Sequence, residues 1–434
     1  MAIYFGTDGI RGVYGEELSS NLVHKCGNAL SRLCKKGKVL IGRDTRTTGD
    51  LLSLSLSSGL TAGGADVIDV GITPTPVVAY LTKQLDCDFG IVVSASHNPA
   101  KYNGIKIYDH NGYKISEEVE KSIERKLFSP YFVPFDKVGK YTFNHNLCRL
   151  YKNAVLSNAI PMPNKKIVID CANGATITTA KQIFSRLNCK VIYLNDLKDG
   201  NKINDGCGAV YPDSLVKSVL QSKADMGFAF DGDGDRICAC DENGNILDGD
   251  DILFILASSM KDTSCIVGTS MTNKGLENAL NKRKIKLLRA DVGDKYVAEL
   301  MRNTSCLLGG EPSGHIINRT LSTTGDGVLT ALTLAKLVTQ SGKKLSELIT
   351  YKKFPQINVN VEVIDKFRVI NSDKLSSEIL SISQAFGKDG RVILRASGTE
   401  NKIRIMCEHK QKSTATLSAN RLKNLVLEIN KTNN

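Results

Sequence analysis

The sequence predicts an α/β protein, with three similar α/β domains in series followed by a smaller C-terminal α+β domain, and three observations carry that prediction. The chain has 434 residues, too many for one core when domains usually run about 100 to 200 residues. Short apolar runs separated by amphipathic helical stretches occur as the same triplet three times in series, which is βα alternation. Past Phe354 the pattern changes to a strand, a helix, a tight two-strand element and a closing helix.

The first domain is expected over residues 1–150, with strands at 39–41, 67–70 and 90–93 and a helix over 51–60. The second, over 151–250, repeats the triplet at 167–169, 191–194 and 226–230. The third, over 251–356, repeats it at 265–268, 286–289 and 306–308. The fourth, over 357–434, has a strand at 357–363, a helix at 375–386, two strands around RASGTE and a helix at 417–429. In each of the first three domains the third strand runs into an unusual loop: SASHNP (94–99), DGDGDR (231–236) and GEPSGH (310–315). Ligands of open α/β sheets bind beyond the carboxyl ends of the strands, so all three loops are expected at one cleft.

Apolar residues at 41% and charged residues at 24% are ordinary globular proportions. No segment approaches the roughly 20 apolar residues of a membrane helix, and the opening MAIYFGTDGI lacks the features of a signal peptide. A cytoplasmic protein without a membrane partner is expected. Twelve cysteines, scattered and never spaced Cys-x-x-Cys, read as reduced core residues. The net charge of +12 raises a nucleic-acid partner, but the lysines are dispersed and no nucleic-acid module occurs; anionic small substrates explain the charge as well.

In DGDGDR, Asp231, Asp233 and Asp235 alternate with Gly232 and Gly234, so the carboxylates can converge while the glycines let the backbone curl around one hard cation. That favours Mg²⁺, one per chain. Glu242 would complete an EF-hand pattern, but Arg236 occupies the glycine position and β-like runs flank the loop. Ser96 stands at a strand end beside His97, with no Gly-x-Ser-x-Gly elbow or Ser-x-x-Lys to suggest a serine hydrolase. A phosphate on Ser96 would add the anionic oxygen that three aspartates leave wanting around magnesium. Lys106 is a candidate proton carrier or phosphate partner. Arg395, Ser397, Gly398 and Thr399, with Arg404 nearby, suit a phosphate, and Glu311, Ser313 and His315 suit sugar hydroxyls. GTDGIRG (6–12) and GRDTR (42–46) match neither dinucleotide nor P-loop patterns, so nucleotide cofactors are not indicated.

Taken together and in order, GTDGIRG, SASHNP, DGDGDR, GEPSGH and RASGTE resemble the α-D-phosphohexomutase family over essentially the whole chain. The resemblance implies three similar mixed-sheet α/β domains plus a smaller C-terminal α+β domain around a central cleft, and an isomerase, an intramolecular phosphotransferase acting on a small phosphosugar. It implies Ser96 as the phosphoserine intermediate, Mg²⁺ held by Asp231, Asp233, Asp235 and the Ser96 phosphate, sugar contacts from Glu311, Ser313 and His315, and the RASGTE loop on the substrate phosphate. Proton movement is assigned to Lys106 and His97 with Arg11 assisting, and charge neutralisation to Arg236 alongside the metal. The stretches YFGTDGIRG, DGNKINDGCGAVYPD (199–213), ILDGDD, TTGDGVLTAL (323–332) and SGTE resemble the branch that acts on amino-sugar phosphates. They imply interconversion of glucosamine 6-phosphate and glucosamine 1-phosphate for UDP-N-acetylglucosamine, with glucosamine 1,6-bisphosphate or another phosphoryl donor priming Ser96. Glucose or mannose phosphates, and a non-catalytic phosphosugar-binding protein, are the alternatives, and a homodimer is left open.

Overall fold

Residues 4–6, 8–397 and 400–431 are described by the computed structural model of the protein. The apolar runs become central strands because residues such as those of FGIVV and MGFAF are buried on both faces, as parallel strands under helices require. The first sheet holds β1 (Ile10–Val13), β2 (Lys38–Arg43), β3 (Asp66–Ile72), β4 (Phe89–Val93), β5 (Tyr102–Asp109) and β6 (Tyr141–Phe143), in the order β1-β5-β4-β2-β3-β6. The second holds β7 (Lys166–Asp170), β8 (Lys190–Leu194), β9 (Met226–Phe230), β10 (Ile237–Asp241) and β11 (Ile246–Leu247), ordered β11-β10-β9-β7-β8. The third holds β12 (Cys265–Thr269), β13 (Lys286–Ala290), β14 (Leu308–Gly310) and β15 (Ile316–Asn318), ordered β13-β12-β14-β15.

One plan underlies all three. The first strand of each triplet pairs in parallel with the second and the third. The third then reverses into an antiparallel strand. The reversal is SASHNP in the first sheet, DGDGDR in the second and GEPSGH in the third, so the three loops are equivalent turns.

A smaller sheet, ordered β16-β18-β17, contains β16 (Gln356–Glu362), β17 (Gly390–Ala396) and β18 (Lys402–His409), packed with the helices Asp373–Phe386 and Lys412–Lys431. Contacts divide the chain into two compact units, Met1–Met271 with Ile285–Ile349, and Thr272–Lys284 with Thr350–Asn434. The helix Lys274–Lys282 therefore groups with the smaller sheet, tied by Asn273 to both backbone groups of Phe354 and by the Lys274 N–H to Glu408.

Two expectations change. The third strand of the third triplet lies at Leu308–Gly310 rather than 306–308. Cys306 precedes it and is joined by a disulfide to Cys265 at the start of the neighbouring strand β12, with Cα atoms 5.4 Å apart. The reduced reading thus fails for this pair and holds for the other ten cysteines, which are free.

Candidate active site

Ser96 follows β4 by three residues and is buried. Its φ of 52° lies in the left-handed region, which a residue with a side chain occupies only where its surroundings enforce it. Its N–H donates to Ser94 Oγ at 2.8 Å, and its carbonyl accepts from Arg46 Nη2 and Asn204 Nδ2, each at 2.9 Å. So held, the Ser96 hydroxyl donates to Asp231 Oδ2 at 2.6 Å, with His97 Nδ1 at 3.4 Å from the same oxygen.

Asp231, Asp233 and Asp235 lie on the reversal between β9 and β10, all buried, each offering an oxygen within 4.8 Å of the others. Strands flank this loop, and Glu242 accepts from Ser346 instead of joining it, so no EF-hand forms. Gly232 permits the close approach to Ser96: a Cβ there would lie 2.7 Å from the Ser96 carbonyl oxygen and 2.9 Å from Asn204 Nδ2. Lys106, on β5, donates to Asp233 Oδ2 at 2.7 Å and Asp235 Oδ2 at 2.9 Å, and Thr75 Oγ1 donates to Asp233 Oδ2 at 2.5 Å. Asp233 Oδ1 and Asp235 Oδ1 remain buried without a hydrogen bond. Unpartnered carboxylate oxygens in the interior carry a large desolvation cost, and an all-oxygen donor set suits a hard divalent cation.

The electrostatics of the cluster point the same way. Burial, then the Asp235 and Asp233 charges, push the Asp231 carboxyl well above its ordinary range. Burial would do the same to Asp235, but Lys106 and His315 override it and hold that carboxyl well below. For Lys106, burial is likewise outweighed by Asp233, Asp235 and Asp8, so it stays an ammonium. His97 goes the other way: burial, reinforced by Arg236 and Arg11, lowers it to about 4 and leaves a neutral imidazole at neutral pH.

A chain of alternating charges continues from there. Lys106 lies 3.6 Å from Asp8, which also pairs with Arg11 and Lys114. Lys114 in turn donates to Asp294 at 2.5 Å, and His315 stands 3.7 Å from both Asp294 and Asp235. The Gly325 N–H donates to His315 Nε2 at 2.9 Å, which places the proton of the neutral ring on Nδ1, facing Asp235. Glu311, half-buried, accepts from the Gly293 N–H at 3.1 Å, and Ser313 is exposed in the same turn. Arg236 donates its backbone N–H to Asp231 Oδ1 at 3.0 Å.

Thus Ser96, His97, Lys106, Arg11, the three aspartates, Arg236, Glu311, Ser313 and His315 all belong to the first unit. Sequence reasoning passed over Asp44, Arg46, Thr75, Lys114, Asn204 and Asp294. GRDTR and the 199–213 stretch were visible signals for Arg46 and Asn204; Lys114 and Asp294, 180 residues apart, had none.

In the second unit, Arg395 on β17 faces Arg404 on β18 directly. Like charges opposite one another destabilise a sheet, and Arg404 is also paired with Glu400, its Nη2 lying 3.7 Å from Oε2. Arg404 Nη2 also donates to Ser397 Oγ at 3.4 Å. Gly398 and Thr399 of the same turn lie outside the described residues.

Family models of phosphoglucomutase/phosphomannomutase match the chain in series: alpha/beta/alpha domain I over residues 2–133, domain II over 147–244, domain III over 248–354 and the C-terminal domain over 357–425. A phosphoglucomutase/phosphomannomutase family protein from Burkholderia thailandensis shares the fold, with a TM-score of 0.87 at 24% identity, covering 100% of this chain and 98% of that one. The chain belongs to this α-D-phosphohexomutase family, and is an isomerase that transfers phosphate intramolecularly. Within the family it is similar to proteins named phosphoglucosamine mutase. The one from Thermotoga petrophila is 45% identical over 417 residues, 94% of this chain and 95% of that protein. The one from Pelotomaculum thermopropionicum is 41% identical over 444 residues, 99% of this chain and 100% of that protein.

Proposed function

We propose that the protein interconverts glucosamine 6-phosphate and glucosamine 1-phosphate in the cytoplasm, with Ser96 carrying the phosphoryl group and a 1,6-bisphosphate as the bound intermediate. The observation that carries this reading is the Ser96 hydroxyl 2.6 Å from Asp231 inside a buried three-carboxylate cluster, two of whose oxygens make no hydrogen bond. Asp231, Asp233, Asp235 and the Ser96 phosphate would hold Mg²⁺. The ion would supply positive charge where phosphoryl transfer concentrates negative charge.

The rest falls to the chain itself. As phospho-Ser96 donates, the Oγ–P bond breaks, a sugar O–P bond forms, and the proton of the attacking hydroxyl must leave. The released Ser96 oxygen takes up a proton in turn, and His97, neutral and 3.4 Å from Ser96 Oγ, is suited to carry it from the one oxygen to the other. Lys106 stays charged and so acts as an acid or an electrostatic partner rather than a base; Arg11 and Arg236 add positive charge. Glu311 meets the ammonium at sugar C2, because a carboxylate gains more from a cation than from a hydroxyl, while Ser313 and His315 take ring hydroxyls. Arg395, Ser397 and Arg404, with Gly398 and Thr399, hold the phosphate that does not react. Comparing kcat/KM for glucosamine 1-phosphate, glucose 1-phosphate and mannose 1-phosphate on bisphosphate-primed enzyme tests the sugar. Preference for glucosamine phosphate is expected; preference for either of the others overturns the amino-sugar assignment, and release of inorganic phosphate in place of isomer would make the enzyme a phosphatase.

A further inference from the structure

The motif GRDTR takes no part in the chemistry assigned so far, yet its second arginine, Arg46, is among the most completely bonded groups in the protein. Arg46 is 2% exposed, and all five N–H donors of its guanidinium are used. Nε donates to Asp44 Oδ2 at 3.0 Å; Nη1 donates to the carbonyls of Pro99 and Tyr102 at 2.6 and 2.8 Å; Nη2 donates to those of Ser96 and Asn98 at 2.9 and 2.8 Å. Four of five donors thus go to the loop that carries Ser96 and to Tyr102, the first residue of β5 beyond it. Asp44, also buried, accepts from Ser94 Oγ at 2.6 Å, and that hydroxyl accepts the Ser96 N–H. Both polar backbone groups of Ser96 are therefore held by one ion pair: the N–H through Ser94 and Asp44, the carbonyl by Arg46 itself.

From the 199–213 stretch, Asn204 Nδ2 donates to the same two carbonyls, of Ser96 at 2.9 Å and Asn98 at 3.2 Å. A buried ion pair is by itself weak evidence for stability, since a well-packed apolar pair often serves equally. What this one does, and an apolar pair could not, is fix a serine at a φ of 52° with its hydroxyl on Asp231. Without that hold the Ser96 backbone is free to relax toward an ordinary conformation, carrying Oγ off the cluster.

We propose that Arg46, with Asp44 and Asn204, is a positioning residue that holds Ser96 in the geometry for phosphoryl transfer; this rests on Ser96 being the phosphoryl carrier. The step it serves is phosphorylation by the bisphosphate, in which a sugar O–P bond breaks, the Ser96 Oγ–P bond forms and the serine proton passes to the sugar oxygen. The test is single-turnover phosphorylation by glucosamine 1,6-bisphosphate, followed by intact mass, in wild type, Arg46→Lys, Arg46→Gly and Asn204→Ala, with KM and thermal midpoint measured alongside. Lysine keeps the charge beside Asp44 but cannot reach four carbonyls. Since displacements near 1 Å cost on the order of 10²-fold, Arg46→Lys should slow phosphorylation by about that factor with KM little changed, and Asn204→Ala by less. Guanidinium ions should restore part of the rate in Arg46→Gly. A folded Arg46→Lys phosphorylated at the wild-type rate overturns the proposal, as does slowing matched by an equal rise in KM. Should Arg46→Lys fail to fold, a wild-type rate in Asn204→Ala overturns it. Wild-type enzyme that takes no phosphate on Ser96 refutes the functional reading and the positioning role together, whereas wild-type uptake with unaffected variants refutes the positioning role alone.

Discussion

Asp326 shows how far a single buried carboxyl can depart from solution behaviour. It caps the helix Gly327–Ser341 by accepting the Leu329 N–H, and the Tyr151 hydroxyl donates to both its oxygens at 2.8 and 2.7 Å. Burial nevertheless dominates these bonds and raises its pKa from 3.8 to about 6. Between those values the folded chain keeps a proton that the unfolded chain has lost. Its contribution to stability is therefore full below about pH 4 and is lost as pH rises through about 6. Relative to Asp326→Asn, wild-type stability should fall by at most about 3 kcal/mol across that window and stay level above it; a difference independent of pH in urea unfolding contradicts this. At the residue scale, legibility followed constraint. Ser96 and the three aspartates could be read because glycine spacing and strand ends restrict what such residues do, while Lys114 and Asp294 meet only through the fold. Lys106 was visible as a candidate but not its state, since a charge pinned by Asp233 and Asp235 is a property of two distant chain segments brought together.

Among the elements, strands such as β4 and β9, buried on both faces, were read from continuous apolar runs, and the edge strands β8 and β13 from runs that are only partly buried. The unread ones include the edge strands β1, which alternates buried and half-buried residues, and β6, exposed throughout despite its aromatic residues, together with the buried antiparallel strands β5 and β10 that follow the reversals. The tertiary ladder, not local composition, decides such strands. The disulfide was unread for a similar reason, because Cys265 and Cys306 are neighbours only across the β12–β14 pairing, 41 residues apart. The hairpin β17–β18 carries its own test. Arg395 faces Arg404 across it, and the test replaces the first of the two, Arg395→Ala. The same change should raise KM about tenfold for every phosphosugar, the ordinary cost of a lost charge-assisted contact. Normal KM values for all substrates would remove this hairpin from phosphate binding.

Taken as a whole molecule, the chain uses one strand plan three times and places different side chains at the same turn each time: a buried serine beside a histidine, a carboxylate cluster, and the glutamate, serine and histidine of GEPSGH. The recurrence was readable because each copy needs the same apolar triplet. Which turn would meet which was not, since that depends on packing between sheets, seen in Gly232 against the Ser96 carbonyl and Thr75 on Asp233. The net charge of +12 fits an enzyme whose substrates are anionic. Everything in the functional account turns on Ser96 as the carrier. The most direct measurement follows ³²P from labelled glucosamine 1,6-bisphosphate onto the enzyme, maps the labelled peptide, and then chases with unlabelled glucosamine 6-phosphate. The account expects label on Ser96 alone, leaving for the sugar at the rate of turnover and absent from Ser96→Ala, which should be inactive. Label on another residue, label that does not chase, or full turnover by Ser96→Ala would contradict it.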